Sequence, residues 1–263
     1  MYMQKLVHFD KADGVATVTI DNPPMNVLSS QVIRELGEVF SSISEDPEVI
    51  TVILTGAGQR AFMAGADIKE FPQWLHMSKE ELKEVNLQSH KVLNQIDDME
   101  KPTIAMLNGI TFGGGCELAL TCDIRIAEDH AQIGLPEVKL GLFPGGGGTQ
   151  RLPRLVGEAK AKELMFLGDP LSAQEAKEIG LVNKVVATGE GMAAAQQMAQ
   201  RIASYSLQAL TRIKKAVNEG MELEFNEAID LEAEYFAGVF QTEDVKEGVQ
   251  AFLDKRSPNF KHR

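Results

Sequence analysis

PTIAMLNGITFGGGCELALTCDIRIAED, residues 102–129, sets two apolar, β-rich runs on either side of a glycine-opened stretch of small and apolar residues. PTIAMLNG (102–109) and CDIRIAED (122–129) read as core strands, and residues 115–121 between them as a short helix. Working outward, VITVILTG (49–56) is a nearly continuous apolar run ending in glycine, the pattern of a strand covered on both faces. VATVTI (15–20) is β-rich, and the prolines of NPPMN after it make a turn, because they cannot continue a central strand. Ser29 or Ser30 can cap a helix over 29–43 whose buried stripe is Val32, Ile33, Leu36, Val39, Phe40 and Ile43. A further helix is expected over 80–99. Strands alternating with helices indicate an α/β core with right-handed crossovers.

Beyond about residue 158 the character changes. AKAKELMFLG, SAQEAKEIG, GMAAAQQMAQRIAS, LQALTRIKKAVNEG and EFNEAIDLEAEYFAGVF all read as helices, with LVNKVV (181–186) the one strand expected among them. No linker, low-complexity tract or fixed-period repeat interrupts the chain. The expected division is a core over 1–190, followed by a helical region over 191–263 that packs on the core and on neighbouring subunits.

The 263 residues allow one large core. With 26 basic against 38 acidic residues and no basic run, the chain has no electrostatic footprint for nucleic acid. Any anion must be met by a local cluster of Lys, Arg and backbone N–H groups. Cys116 and Cys122 read as sharing one helix, and six residues make about 600° of rotation, so they cannot pair with each other. No CxxC occurs and the histidines are scattered, so no metal site is expected. MYMQKLVHFDKADG lacks an apolar signal core and no run approaches a membrane span, so no membrane association is expected and a cytoplasmic setting is.

The chemistry has to be sought where glycines let a backbone come close. Four places qualify: AFMAGADIKEF (61–71), GGG at 113–115, LPEVKLG (135–141) and FPGGGGTQRL (143–152). Glycines before a helix leave several N–H groups without intrahelical partners, a ready anion or oxyanion site. Nucleotide motifs fail in detail. GGGGTQR lacks the lysine of a phosphate-binding loop, GITFGGG is not an intact GxGxxG, and no GxSxG occurs. Glu117 opens an otherwise apolar helix. An acid there is favoured by the helix dipole alone, so by itself it admits a bland reading. Glu137, just after Pro136, could equally be a surface or capping residue. Two carboxylates in different apolar settings can, however, have their pKa values pushed apart, one serving as base and the other as acid.

AFMAGADIKEF, NGITFGGGCELALTCDIRIA and IGLPEVKLGLFPGGGGTQRLPRLVG, in this order and spacing, resemble the enoyl-CoA hydratase/isomerase (crotonase) superfamily. DNPPMNVLS and KRSPNFKHR extend the likeness to practically the whole chain. The resemblance implies a spiral of ββα units with C-terminal helices that build trimers, commonly paired into hexamers. It also implies an acyl-CoA thioester substrate whose carbonyl oxygen sits between the backbone N–H groups of Ala66 and Gly114. Glu117 would position and deprotonate the attacking water, and Glu137 would supply a proton to the α-carbon. Having both acids points to hydration of a 2-enoyl-CoA to the 3-hydroxyacyl-CoA, as in fatty acid β-oxidation or a related acyl-CoA degradation.

By the same resemblance, Ala64, Asp67, Ile68 and Lys69 line the coenzyme A groove, and Phe260 and Lys261 close over it, often from a neighbouring subunit. No metal, redox cofactor or covalent intermediate is implied; coenzyme A is part of the substrate. The stretch 71–90 is the variable wall of the acyl pocket, where Trp74, Leu75 and Met77 either line the pocket or, as expected here, pack the loop. The competing readings are an enoyl-CoA isomerase, a hydratase of branched or carboxylated enoyl-CoA, and a non-catalytic CoA-binding subunit. Loss of an acid or a bulkier residue in place of a glycine would mark the last of these, and neither has happened.

Overall fold

The computed structural model describes residues 4–263. Strands β1 (Val7–Ala12) and β2 (Val15–Ile20) form an antiparallel hairpin through Asp13 and Gly14, both at positive φ, as a tight hairpin turn requires. The chain passes NPPMN, with a cis Pro23–Pro24 bond, and enters helix α1 (Ser30–Glu45). Ser29 is its cap, accepting the Val32 N–H, and Val32, Leu36, Val39, Phe40 and Ile43 form the buried face.

Three strand pairs follow, each closed by helix. The first is β3 (Thr51–Gly56) and β4 (Ala61–Met63), followed by a 3-10 turn at Ile68–Glu70, the short α2 (Phe71–Trp74) and α3 (Lys79–Asp97). The second is β5 (Thr103–Leu107), β6 (Ile110–Phe112) and α4 (Gly114–Leu120). The third is β7 (Ile124–Glu128) and β8 (Gln132–Gly134), then a 3-10 turn at Glu137–Leu140, α5 (Gly148–Val156) and α6 (Glu158–Leu167). A closing segment holds β9 (Leu171–Ser172), α7 (Ala173–Glu178) and β10 (Lys184–Val186), and the tail is α8 (Gly191–Ala203), α9 (Leu207–Gly220), α10 (Phe225–Val239) and α11 (Glu243–Leu253).

The first strand of each pair enters a six-stranded sheet in the order β1-β2-β3-β5-β7-β10, parallel except at the opening hairpin. The second strands form a smaller sheet in the order β4-β6-β8-β9, with β9 antiparallel to β8. Each turn of the chain therefore adds one strand to each sheet in the same direction, which is a ββα spiral. Alternate residues of the large sheet face two different apolar clusters. Val52, Leu54, Ala105 and Leu107 pack with α1 and α3, while Ile53, Ile104, Met106 and Ile126 pack under Ala195 and Ala199 of α8. That two-sided burial explains the unbroken apolar run at 49–56. At roughly 1.5–3 kcal/mol per buried large side chain, it dominates the stability of the spiral.

The tail is pinned to the sheet by a polar contact. Asp123, just before β7, accepts from Thr103 N and Oγ1 and from Lys214 Nζ of α9 at 3.0 Å. Cys122 lies beyond the end of α4, so the two cysteines do not share a helix as expected; both are buried and free. Helix α3 begins at a capping box, in which Ser78 Oγ accepts the Glu81 N–H and Glu81 accepts the Ser78 N–H. Ser78→Ala removes one acceptor from an otherwise orphaned donor and is expected to cost about 1 kcal/mol. At this chain length that lowers Tm by about 2–4 °C, readable by calorimetry, and an unchanged Tm would count against the cap.

Candidate active site

Gly113 (φ 52°, ψ −124°) turns the chain out of β6 and into α4, a conformation that a side chain resists. Helix α4 then lies directly on the backbone of β4: a Cβ added at Gly115 would stand 2.1 Å from Met63 O. This packing carries Glu117, in the first turn of α4, to an interior position where it is 4% exposed. Its Oε1 accepts the N–H of Gly146 at 2.7 Å and of Gly148 at 2.8 Å. Among the described residues nothing donates to Oε2. Burial pushes the carboxyl pKa up, opposed by the Gly148 and Gly146 N–H groups and by the Arg151 charge.

Glu137 heads the 3-10 turn after β8 and is half-buried. Burial pushes its pKa up to about 7, with the neighbouring Glu117 charge adding, against the pull of its own backbone N–H. Its Oε2 is buried without a hydrogen-bond partner among the described residues, and its Oε1 would stand 2.9 Å from a Cβ at Gly113. The glycine therefore keeps open the space that this carboxyl uses. An unsatisfied buried oxygen costs about 1–3 kcal/mol, so it needs a reason.

The 61–71 segment meets α4 through Leu28, which pairs with Ala66 in a parallel bridge. Leu28 N donates to Gly65 O at 2.8 Å, and Asp67 N donates to Leu28 O at 3.0 Å. That register turns the Ala66 N–H to the opposite side, toward Gly114, where an added Cβ would lie 3.6 Å from Ala66 N. Gly114 is the first residue of α4, so its N–H has no intrahelical acceptor. Among the described residues neither N–H donates a hydrogen bond. Glu117, Glu137, Ala66 and Gly114 thus converge, joined by the glycine edges of three different segments.

The other predicted residues divide. Ala64 N is committed to Met25 O at 3.1 Å, so only its carbonyl is open to a ligand. Asp67 Oδ1 accepts the Lys69 N–H at 3.1 Å and caps the 3-10 turn, leaving Ile68 and the Lys69 side chain exposed beside Ala66. Phe260 and Lys261 lie elsewhere in this chain. The Phe260 ring sits at α11, 3.4 Å from where a Cβ of Gly248 would be, and Lys261 N donates to Asp244 Oδ1 at 2.6 Å. No hydrogen bond or ion pair among the described residues joins them to the 64–69 loop.

In the variable stretch Trp74 stacks on Phe71, with ring centroids 4.8 Å apart, and so packs the loop as expected. Leu75 does not: it is 83% exposed. A four-residue helix offers too little surface to cover its far side. The grip on Glu117 leaves no mark in the sequence. FPGGGGTQRL stood out for its glycines, yet nothing in the pattern says that the N–H groups of Gly146 and Gly148 aim at one carboxylate oxygen. No cluster of three or more His, Cys, Asp or Glu among the described residues forms a metal-ligand set.

The family model for enoyl-CoA hydratase/isomerase matches residues 10–263. A short-chain-enoyl-CoA hydratase of Clostridium acetobutylicum is 45% identical over 259 residues, covering 98% of each chain. A crotonyl-CoA hydratase of Syntrophomonas wolfei is 45% identical over 252 residues, 95% of this chain and 96% of that one. Among solved structures, an enoyl-CoA hydratase from Bacillus anthracis superposes with a TM-score of 0.93 at 39% identity, covering 98% of this chain and all of its own. The chain belongs to the enoyl-CoA hydratase/isomerase family.

Proposed function

We propose that this enoyl-CoA hydratase adds water across the 2,3 double bond of a short 2-enoyl-CoA, with Glu117 as base, Glu137 as acid and the Ala66 and Gly114 N–H groups as the oxyanion hole. Glu117 takes a proton from water as the hydroxyl oxygen bonds to C3. The electron pair of the double bond moves toward the thioester, and its oxygen, bearing enolate charge, is held by the two N–H groups. Glu137 delivers its proton to C2. The cycle leaves Glu117 protonated and Glu137 charged, and one proton transfer between them through solvent restores both. Two preorganised donors act only on the charge that develops, at about 3–4 kcal/mol for each donor lost.

The observation that carries this reading is the asymmetry of the acid pair. One carboxylate accepts two backbone N–H groups that oppose the upward push of its burial, while its neighbour keeps a buried, unpartnered oxygen and a pKa pushed up to about 7. A double-bond shift within the substrate needs only one proton-carrying group, whereas hydration uses both. The relatives named for short-chain and crotonyl substrates favour a short straight acyl chain.

Lys69 stands to meet the phosphates of coenzyme A, with Ala64 O, Asp67 and Ile68 along the groove, and Phe260 and Lys261 to cover it from a neighbouring subunit. The exposed apolar side chains of the tail, Ile213, Val217, Met221, Phe225, Phe236 and Phe252, favour a trimer or dimer of trimers. The reaction needs no resident cofactor or metal, and acyl-CoA degradation in the cytoplasm is the setting that fits.

Loss of conjugated-thioester absorbance on mixing with crotonyl-CoA tests the reading, with a 3-enoyl-CoA run in parallel. Rapid loss with the 2-enoyl substrate is expected; turnover of the 3-enoyl substrate alone would transfer the chain to the isomerases. The pH profile has a sign. Glu137 must carry its proton, so kcat/KM falls as pH rises through about 7. Glu117 must be ionised, so activity also falls on the acid side, giving a bell whose two limbs belong to the coupled pair. A profile flat from pH 6 to 9 would remove Glu137 from the acid role.

A further inference from the structure

The glycine loop that grips Glu117 is itself gripped from behind. Arg151 of α5 is largely buried and sends Nε to Asp97 Oδ2 at 2.6 Å and Nη2 to Asn94 Oδ1 at 2.7 Å, both on α3. Its Nη1 stands 3.5 Å from Gly146 O, and its backbone N–H donates to Gly147 O at 2.8 Å. A Cβ at Gly147 would lie 2.2 Å from Nη1, so the guanidinium fills the space a side chain would take there. Asn86 Nδ2 donates to Gly145 O at 3.0 Å, and His90 Cε1 would lie 3.8 Å from the same Gly147 Cβ. Asn86, His90, Asn94 and Asp97 follow one another at spacings of four, four and three, which is one face of α3. The flank of that helix adjoining the stripe buries Leu93 and Ile96 in the core, so the polar stripe is rigidly carried.

We propose that Arg151 is a positioning residue for hydration: clamped to α3 by Asp97 and Asn94, it fixes the Gly145–Gly148 loop so that the Gly146 and Gly148 N–H groups hold the Glu117 carboxylate in its reactive pose. This rests on Glu117 being the base. Gly146 is tied through both of its peptide units, its N–H to Glu117 and its carbonyl facing Arg151, so neither unit can turn without losing one of these contacts. The titratable groups around Glu117 are Glu137 from the 3-10 turn, Cys116 on its own helix and Arg151 from α5. Behind Arg151 lie Asp97 and, farther off, Lys214 and Asp98, with His90 beside the loop. Arg151 is the cation among those in direct range, so its removal disfavours the Glu117 carboxylate.

The test compares Arg151→Gln, Asp97→Asn and Glu117→Gln with the wild type on crotonyl-CoA from pH 5.5 to 9, normalised to folded protein. Arg151→Gln is expected to lower kcat at least about tenfold, leave KM within about threefold, and move the acid limb of kcat/KM up by about half a pH unit or more. A lowered kcat with an unmoved acid limb overturns the proposal, because a merely structural arginine would give that result. If Arg151→Gln does not fold, Asp97→Asn decides. It leaves the cation in place and removes its counter-charge, so the acid limb is expected to move down, and an unmoved limb overturns the proposal. Wild-type turnover in Glu117→Gln would instead defeat the assignment of the base, whatever the arginine variants do.

Discussion

Glu117→Gln and Glu137→Gln are each expected to cut turnover of crotonyl-CoA at least about a hundredfold, or about 2.7 kcal/mol of transition-state stabilisation. The two variants reach that loss differently. In Glu117→Gln the amide oxygen still accepts from Gly146 and Gly148, so the fold and the loop are kept while basicity toward water is gone. In Glu137→Gln the acid is replaced by an amide that cannot give its proton to C2. Its stability should be unchanged or higher than wild type, because a neutral group now occupies a site that disfavours the carboxylate. Both should bind a saturated acyl-CoA with near wild-type affinity, since neither is placed among the groups that hold coenzyme A. The double variant should lose little more than the worse single one, because the two acids serve one addition. Measured kcat and acyl-CoA binding for the three proteins decide the matter, and near wild-type turnover in either single variant would remove that carboxylate from the mechanism.

How much of this was visible before the fold follows from what each element needs. The central strands at 51–56, 103–107 and 124–128 are buried on both faces, so their apolar runs announced them within a residue or two. The second sheet was not visible, because strands of two or three residues such as Ala61–Met63 and Gln132–Gly134 are too short to establish alternation. Helix α5 hid behind its own glycine run, and α11, with Gly248 inside it, lacked the apolar density of the other tail helices. Glu117 and Glu137 stood out because a carboxylate in an apolar segment is rare enough to notice. The role of Leu28 did not: its backbone sets the direction of the Ala66 N–H, and backbone direction leaves no mark on residue type. The same is true of Arg151, whose partners lie 54 and 57 positions away on another helix.

Gly115→Ala should damage stability and catalysis together, and for one geometric reason. The added methyl would stand 2.1 Å from Met63 O and 2.8 Å from the Met63 carbonyl carbon, inside the van der Waals surface of a strand that cannot yield. Met63 is fully buried in β4, so relief must come from a shift of α4 away from that strand. Overpacking of this kind costs about 1–3 kcal/mol or more. A contact with backbone belongs at the upper end, where the helix propensity gained over glycine, about 1 kcal/mol, offsets only part of it. A net loss of at least about 2 kcal/mol, or a Tm lower by about 4–8 °C, is expected. The same shift would carry the Gly114 N–H away from the Ala66 N–H and Glu117 away from Gly146 and Gly148, so turnover should fall by more than the loss of folded protein explains. Gly114→Ala is the informative contrast. Its methyl would meet Leu28 Cδ2 at 3.1 Å, the far end of a side chain that can rotate, so its Tm should stay within about 2 °C of wild type. If Gly115→Ala matched that small change, the close seating of α4 on β4 would not be what fixes the geometry of the site.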